Sequence, residues 1–408
     1  MLKAMLAIVT AVTGILVGGD SGTSPAEDVV FLRAQGGITL ARDPAGTFTR
    51  IPTAISSTDW SAVVQTIRHG RDTRIAAFDA VSGQELWSRI VDGRYEARVA
   101  STDARFVALG YPQWVDASGY PLGQRSTVLV ILSEGSTEPH VIELDGNYAP
   151  EAFSTDGKNL FVIQYLPSRH PTRYRVRRLD LETERVVGVY SVDAHLQEAM
   201  EGTARIQAAS ADGNRLYTLY TVAGQDGTRR AFVHVLSLDE LWAHCVDLPP
   251  AFAEAAERSI ALSVSPSGDS VYAADMSSGT LAEIDTEALT VARTTELPVA
   301  SKGGEAQTVV GNSGLVYVAR DTTVTALDAS TLDPIGTWQL GDRITGLQPG
   351  RDGASLYVGL KDRIVVLDAS TGRELRTLIP PEEQAAIDQL GEATRPLDSA
   401  RTVLECAC

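Results

Sequence analysis

Apolar and polar residues alternate with period two over most of this chain, and three C-terminal stretches align with one another. They are residues 265–298, 311–341 and 350–379. Each begins with a polar turn and continues in a short apolar strand carrying Tyr272, Tyr317 or Tyr357. A second turn follows, then an alternating strand that ends in Asp285, Asp328 or Asp368, a tight turn and a last strand. Period-two alternation punctuated by Gly, Asp and Ser predicts antiparallel strands joined by short turns.

The unit continues backwards through the sequence. Turns of the kind that joins third and fourth strands recur at Asp43-Pro44-Ala45-Gly46, Asp79 to Gly83, Ser133 to Gly135, Asp180 to Thr183 and Ser237 to Asp239. With the three C-terminal copies this makes eight, spaced 36 to 57 residues apart. Turns between first and second strands recur at Ser56 to Asp59, Ser101 to Ala104, Ser154 to Gly157 and Ser210 to Gly213, giving seven with the C-terminal copies. These spacings suit four-stranded antiparallel blades with loop insertions.

A lone four-stranded sheet exposes two apolar faces, so such units must stack radially and close into a ring. The sequence therefore predicts an all-β protein, a single β-propeller with eight blades favoured and seven as the alternative. The first unit lacks its innermost strand, and an eight-membered ring closes if Thr402-Val403-Leu404-Glu405 supplies it. A seven-membered ring would place the hairpins at 29–51 elsewhere. Pro380-Pro381, EEQAAIDQL and Gly391 carry the start and stop signals of a short helix. The expected layout is a leader at 1–26, the propeller at 28–381, and a C-terminal helix and tail at 382–408 that closes the first blade.

The start of the chain adds a location. Lys3 precedes an apolar run from Ala4 to Val17, and Ser24-Pro25-Ala26 is a small-x-small cleavage pattern. The run of 14 residues is shorter than the roughly 20 a membrane-spanning helix needs. Export with cleavage is the expectation, with retention as an N-terminal membrane anchor as the alternative. The protein is then secreted or held in the cell envelope.

Charge narrows the partners. The chain of 408 residues carries 35 Lys plus Arg against 52 Asp plus Glu, a net charge of −17. Affinity for polyphosphate rests on positive surface charge, so general nucleic-acid binding is not expected. The three cysteines, Cys245, Cys406 and Cys408, follow no zinc spacing; a disulfide to Cys245 or free thiols are the expectation. In an eight-bladed ring Cys245 lies opposite the first unit, so a tail that closed the first blade could not readily also bond Cys245.

The strands Tyr272-Ala273-Ala274-Asp275, Tyr317-Val318-Ala319-Arg320 and Tyr357-Val358-Gly359-Leu360 are each followed by an Asp-led turn. These begin Asp285-Thr286, Asp328-Ala329-Ser330-Thr331 and Asp368-Ala369-Ser370-Thr371. Together they resemble the YVTN-type propellers, within the quinoprotein-like group of bacterial secreted propellers. The resemblance is clear over 259–379 and traceable over 29–258; the Thr-Asn of the signature is not kept. It implies architecture and, by analogy, a binding or scaffold role. Residues 77–87, AFDAVSGQELW, resemble the tryptophan-docking motif of quinone-dependent dehydrogenases. The matching position of the last copy is Arg376, and no vicinal Cys-Cys pair is present, so Trp87 is expected to be structural.

The sequence offers no cofactor motif and no metal-ligand spacing among His69, His140, His170, His195, His234 and His244. His244 and Cys245 are neighbours on a strand and point to opposite faces. The departures from the repeat say more. Three consecutive units insert residues between their second and third strands, at 111–124, 165–174 and 221–230. In a propeller these loops share one face, and loops on a rigid scaffold are where binding tends to sit. They carry Tyr111, Trp114, Tyr120, Tyr165, Arg169, His170, Arg173, Arg229 and Arg230, and 166–180 alone holds five arginines. Aromatics and arginines are the residues of recognition surfaces, and arginine grips carboxylate or phosphate by paired hydrogen bonds. Arg175 and Arg177, on a strand face, are expected to neutralise nearby carboxylates. The expected function is a monomeric, non-enzymatic binding or scaffold propeller that recognises a protein or anionic ligand. The alternative is a lactonase-like hydrolase with carboxylates in the central channel.

Overall fold

The computed structural model describes residues 28–34, 37–113, 121–191, 202–223, 227–297, 305–381, 389–390 and 395–405. They form an eight-bladed antiparallel propeller, with blades at 28–52, 54–92, 96–145, 147–188, 202–247, 260–296, 307–339 and 346–378. Blade 6 shows the pattern. Its strands Ile260–Val264, Ser270–Asp275, Thr280–Asp285 and Thr290–Glu296 pair in sequence order, inner to outer. The second and third strands are buried along nearly their whole length, whereas the outer one alternates between exposed and half-buried. A middle strand has another blade on each of its faces, so both sets of side chains must be apolar or small. That is why Tyr272-Ala273-Ala274 reads as a continuous apolar run.

The core is divided by interface. One cluster joins blades 1 and 2 through Phe31, Trp60 and Val63, and others repeat round the ring. The last joins blade 8 to blade 1 through Tyr357, Ile364, Val30 and Leu32. The hairpins at 29–51 thus belong to the ring, and the seven-bladed alternative is excluded.

The recurrent turn residues serve the backbone. Ser57, Ser101, Ser154 and Ser210 each donate a hydroxyl to the aspartate two residues on, at 2.7, 3.1, 2.7 and 2.6 Å. At the third-to-fourth turns, Asp285 accepts the N–H groups of Glu287 and Ala288 at 2.9 and 2.8 Å, and Asp328 that of Ser330 at 2.7 Å. A short side chain that accepts from its own turn is what Asp supplies here. Bonds from the Ser370 and Thr371 hydroxyls and the Thr371 N–H pull the Asp368 carboxyl down to about 2.

Neighbouring blades are fastened by side chains reaching carbonyl oxygens of the next turn. Trp87 is buried, and its indole N–H donates to the Ala104 carbonyl in blade 3 at 3.0 Å. Arg89 holds the carbonyls of Glu134 and Ser136, and Arg293 those of Ala329 and Ser330. At the seam, Arg376 takes the position of Trp87 and makes two bonds to Asp43 of blade 1. Gln348 adds a pair across the same seam, accepting from the Phe31 N–H at 3.1 Å and donating to the Val29 carbonyl at 2.7 Å.

The C-terminal tail departs from expectation. The inner edge of blade 1 is met by Gln389–Leu390, paired antiparallel with Arg33 and Leu32, and not by 402–405. Arg395–Glu405 is a strand between blades 4 and 5, paired with Gly202–Ala209 and Arg173–Asp180. The expected helix falls mostly on 382–388, outside the described residues; Gln389–Leu390 are extended. The leader at 1–26 also lies outside them. Among the described residues no helix is long and apolar enough to cross a membrane.

Candidate functional site

The blade-4 insertion, Leu166 to Arg173, is closed by its own backbone. The Thr172 N–H donates to the Leu166 carbonyl at 2.9 Å and the His170 N–H to the Pro167 carbonyl at 3.2 Å. Pro171 turns inward and is buried, which leaves Arg169, His170 and Arg173 exposed. None of these three side chains forms a hydrogen bond or ion pair with a described residue. Among the described residues, Arg169 and Arg173 of this acidic chain thus have no ion-pair partner.

Asn147 joins this loop to the blade-3 insertion. Its side chain is fully buried, and its amide donates to the Ser168 carbonyl at 3.2 Å and the Leu122 carbonyl at 3.3 Å. Its oxygen accepts from Gln124 at 3.0 Å, while the Gln124 N–H donates to the Ser168 carbonyl at 3.0 Å. The approach is close enough that a Cβ on Gly123 would fall 1.8 Å from the Arg169 carbonyl oxygen. A buried amide with both ends satisfied fixes the two loops as one unit.

The other expected site residues distribute differently. Tyr111 is 51% exposed and stacks on Tyr95, with ring centroids 4.9 Å apart. Arg229 pairs with Glu254 at 2.5 Å, and the Arg230 guanidinium lies 5.7 Å from the Phe232 ring. Trp114 and Tyr120 lie outside the described residues. Tyr165 does not face solvent. It is buried with Tyr174 and Tyr220 between blades 4 and 5, because the loop begins only after its strand, Asn159–Leu166, ends. Of the strand arginines, Arg177 and Arg178 donate to the amide oxygens of Gln164 and Asn159 at 3.3 and 3.4 Å, and not to carboxylates.

A polar seam between blades 4 and 5 was not legible in the sequence. The Tyr174 and Tyr220 hydroxyls meet at 3.1 Å, and Gln207 donates to Glu151 at 2.7 Å and to Thr218 at 3.1 Å. They line a cavity of about 20 Å³ with His234 on its wall. That is room for roughly one water. Burial, with His244 adding to it, pushes the His234 imidazole down to about 4, so it is neutral at pH 7. His234 and Glu151 come from different blades, which no local motif could announce. Cys245 is disulfide-bonded and is not a nucleophile beside His244.

Among the described residues no group of three or more His, Cys, Asp or Glu side chains converges as a metal site would need. The fold these residues build is a single eight-bladed antiparallel propeller. No protein-family profile matches the chain, and no curated protein matches it. Two solved structures of AztD from Citrobacter koseri are similar in fold. One, the apo form, has 12% identity and a TM-score of 0.52, covering 90% of this chain and 97% of that one. The other has 12% identity and a TM-score of 0.50, covering 90% and 96%. At this identity the likeness concerns the fold alone.

Proposed function

We propose that this protein is a monomeric, exported, non-enzymatic binding propeller whose blade-3 and blade-4 loops recognise an acidic partner. The observation that carries the reading is the exposed set Arg169, His170 and Arg173, without a described counter-charge, on a loop fixed by buried Asn147. Arginine presents a planar fork of donors that matches a carboxylate pair, and a fixed loop reduces the entropy lost on binding. Export rests on the 1–26 leader and is supported by the bonded state of Cys245, since stable disulfides belong to oxidising compartments. Kinship with the YVTN-type propellers rests on the tyrosine strands and Asp-led turns. The channel-hydrolase alternative has no observation in its favour.

The test is fluorescence anisotropy with a labelled hexaglutamate peptide. The wild-type protein is expected to saturate, and Arg169→Ala/Arg173→Ala to bind at least tenfold more weakly with an unchanged melting temperature. Arg229→Ala, whose partner is Glu254, serves as the control. Equal binding by wild type and the double variant would refute the proposal.

A further inference from the structure

The C-terminal strand lies where the propeller offers it two edges. Leu390 is paired with Leu32 of blade 1 and Gly346 of blade 8, and Arg395 with Gln207 of blade 5. Blades 1 and 5 are opposite one another in a ring of eight. Leu390 and Arg395 are five residues apart in the chain, so at most about 17 Å separates them.

It then follows the inner edge of Gly202–Ala209, with Ala204, Thr203 and Gly202 opposite Arg401, Thr402 and Val403. This innermost strand has eight residues, against five, four and four in blades 6, 7 and 8. On its other side the tail meets Arg173–Asp180 in parallel, Tyr174 opposite Val403 and Arg175 opposite Glu405. That edge is open because the outer strand of blade 4, Arg185–Gly188, covers only Arg177 to Asp180. The chain then leaves its own blade, and Tyr190–Ser191 pairs with Trp242 and Ala243 of blade 5. Two strand edges left unpaired by their own blades thus face one slot, and such edges take up a strand.

A disulfide lies beside this slot. Cys245 packs against the tyrosine cluster between blades 4 and 5 and is disulfide-bonded. The chain's other cysteines, Cys406 and Cys408, follow directly after Glu405.

We propose that the slot between blades 4 and 5 is a strand-acceptor site, occupied by the chain's own C-terminal strand and latched by the Cys245 disulfide. Its external partner is an extended peptide segment that pairs by β-addition once the latch opens. A dithiol opens it by thiolate attack and a mixed disulfide, which its second thiol resolves. The dithiol gives up two electrons and two protons to become a disulfide, and Cys245 and its partner become two thiols. This inference stands apart from the arginine loop.

Hydrogen exchange on the full-length protein tests it first. With dithiothreitol, amides of 202–204 and 401–405 are expected to exchange at least tenfold faster, while those of 159–166 stay unchanged. Equal protection in both states would overturn the latch. The acceptor is tested with full-length Cys245→Ser/Thr402→Pro/Val403→Pro, whose tail loses its N–H donors at 402 and 403 opposite Thr203 and Gly202. A labelled RPLDSARTVLE peptide is expected to bind this variant and not the oxidised wild type. No binding to the folded variant would overturn the acceptor site; should the variant misfold, the exchange measurement still decides.

Discussion

Tyr357 and Asp43 meet across the seam between the last blade and the first, the hydroxyl donating to the carboxylate at 2.6 Å. The same hydroxyl reaches Asp28 at 2.9 Å, and both carboxylates are buried. Burial and the two carboxylates push the Tyr357 hydroxyl up, so it stays protonated and its one proton lies between them. Tyr357→Phe leaves two buried carboxylates without this donor. Hydrogen bonds to charged groups contribute about 1.5–3 kcal/mol, and a loss of that size is expected in urea unfolding.

The seam also sets a pH dependence. Burial alone would raise the Asp43 carboxyl, but the Arg376 guanidinium and the Tyr357 hydroxyl outweigh it and hold it below its usual value. A carboxyl lowered by folding stabilises fully above its unfolded pKa of about 3.9, and that contribution is lost as pH falls through the folded value. Stability is therefore expected to drop below about pH 4. Asp43→Asn should be less stable at pH 7 and lose less between pH 4 and pH 2, measured by thermal melts across that range.

Trp87 acts as a structural dock. Trp87→Ala empties a site between blades 2 and 3 and is expected to cost about 3–5 kcal/mol. Trp87→Phe keeps much of the volume and removes the N–H donated to Ala104, so a loss of about 1 kcal/mol is expected. Peptide binding by either folded variant should be unchanged.

Asn147 links scaffold to site. Asn147→Leu breaks the bonds to Ser168, Leu122 and Gln124, leaving the Ser168 carbonyl only the Gln124 N–H. A loss of about 2–3 kcal/mol is expected. Hexaglutamate binding should fall as well, because Arg169 and Arg173 would no longer be held, and anisotropy reads this directly.

The architecture was legible because its determinants are local. An aspartate capping its own turn and a tyrosine in a short apolar strand are set within a few residues, and they recur. Even the break at Arg376 was visible, although its meaning was not. It replaces a tryptophan's contact with an ion pair to Asp43, a residue 333 positions away. What escaped was decided by distant partners. Glu254 engages Arg229, Tyr165 is enclosed by Tyr174 and Tyr220, and Thr402 and Val403 pair with blade 5 and not blade 1. Arg169 and Arg173 are exposed on the blade-4 loop, but the amide that fixes that loop, Asn147, lies on a strand and carries no loop signature.

The salt dependence of hexaglutamate binding tests the central claim most directly. Affinity plotted against ionic strength, both on logarithmic scales, is expected to fall steeply for the wild type and to flatten stepwise in Arg169→Gln and then Arg169→Gln/Arg173→Gln, as exposed charge pairs are removed. Identical slopes in all three proteins would contradict recognition through these arginines.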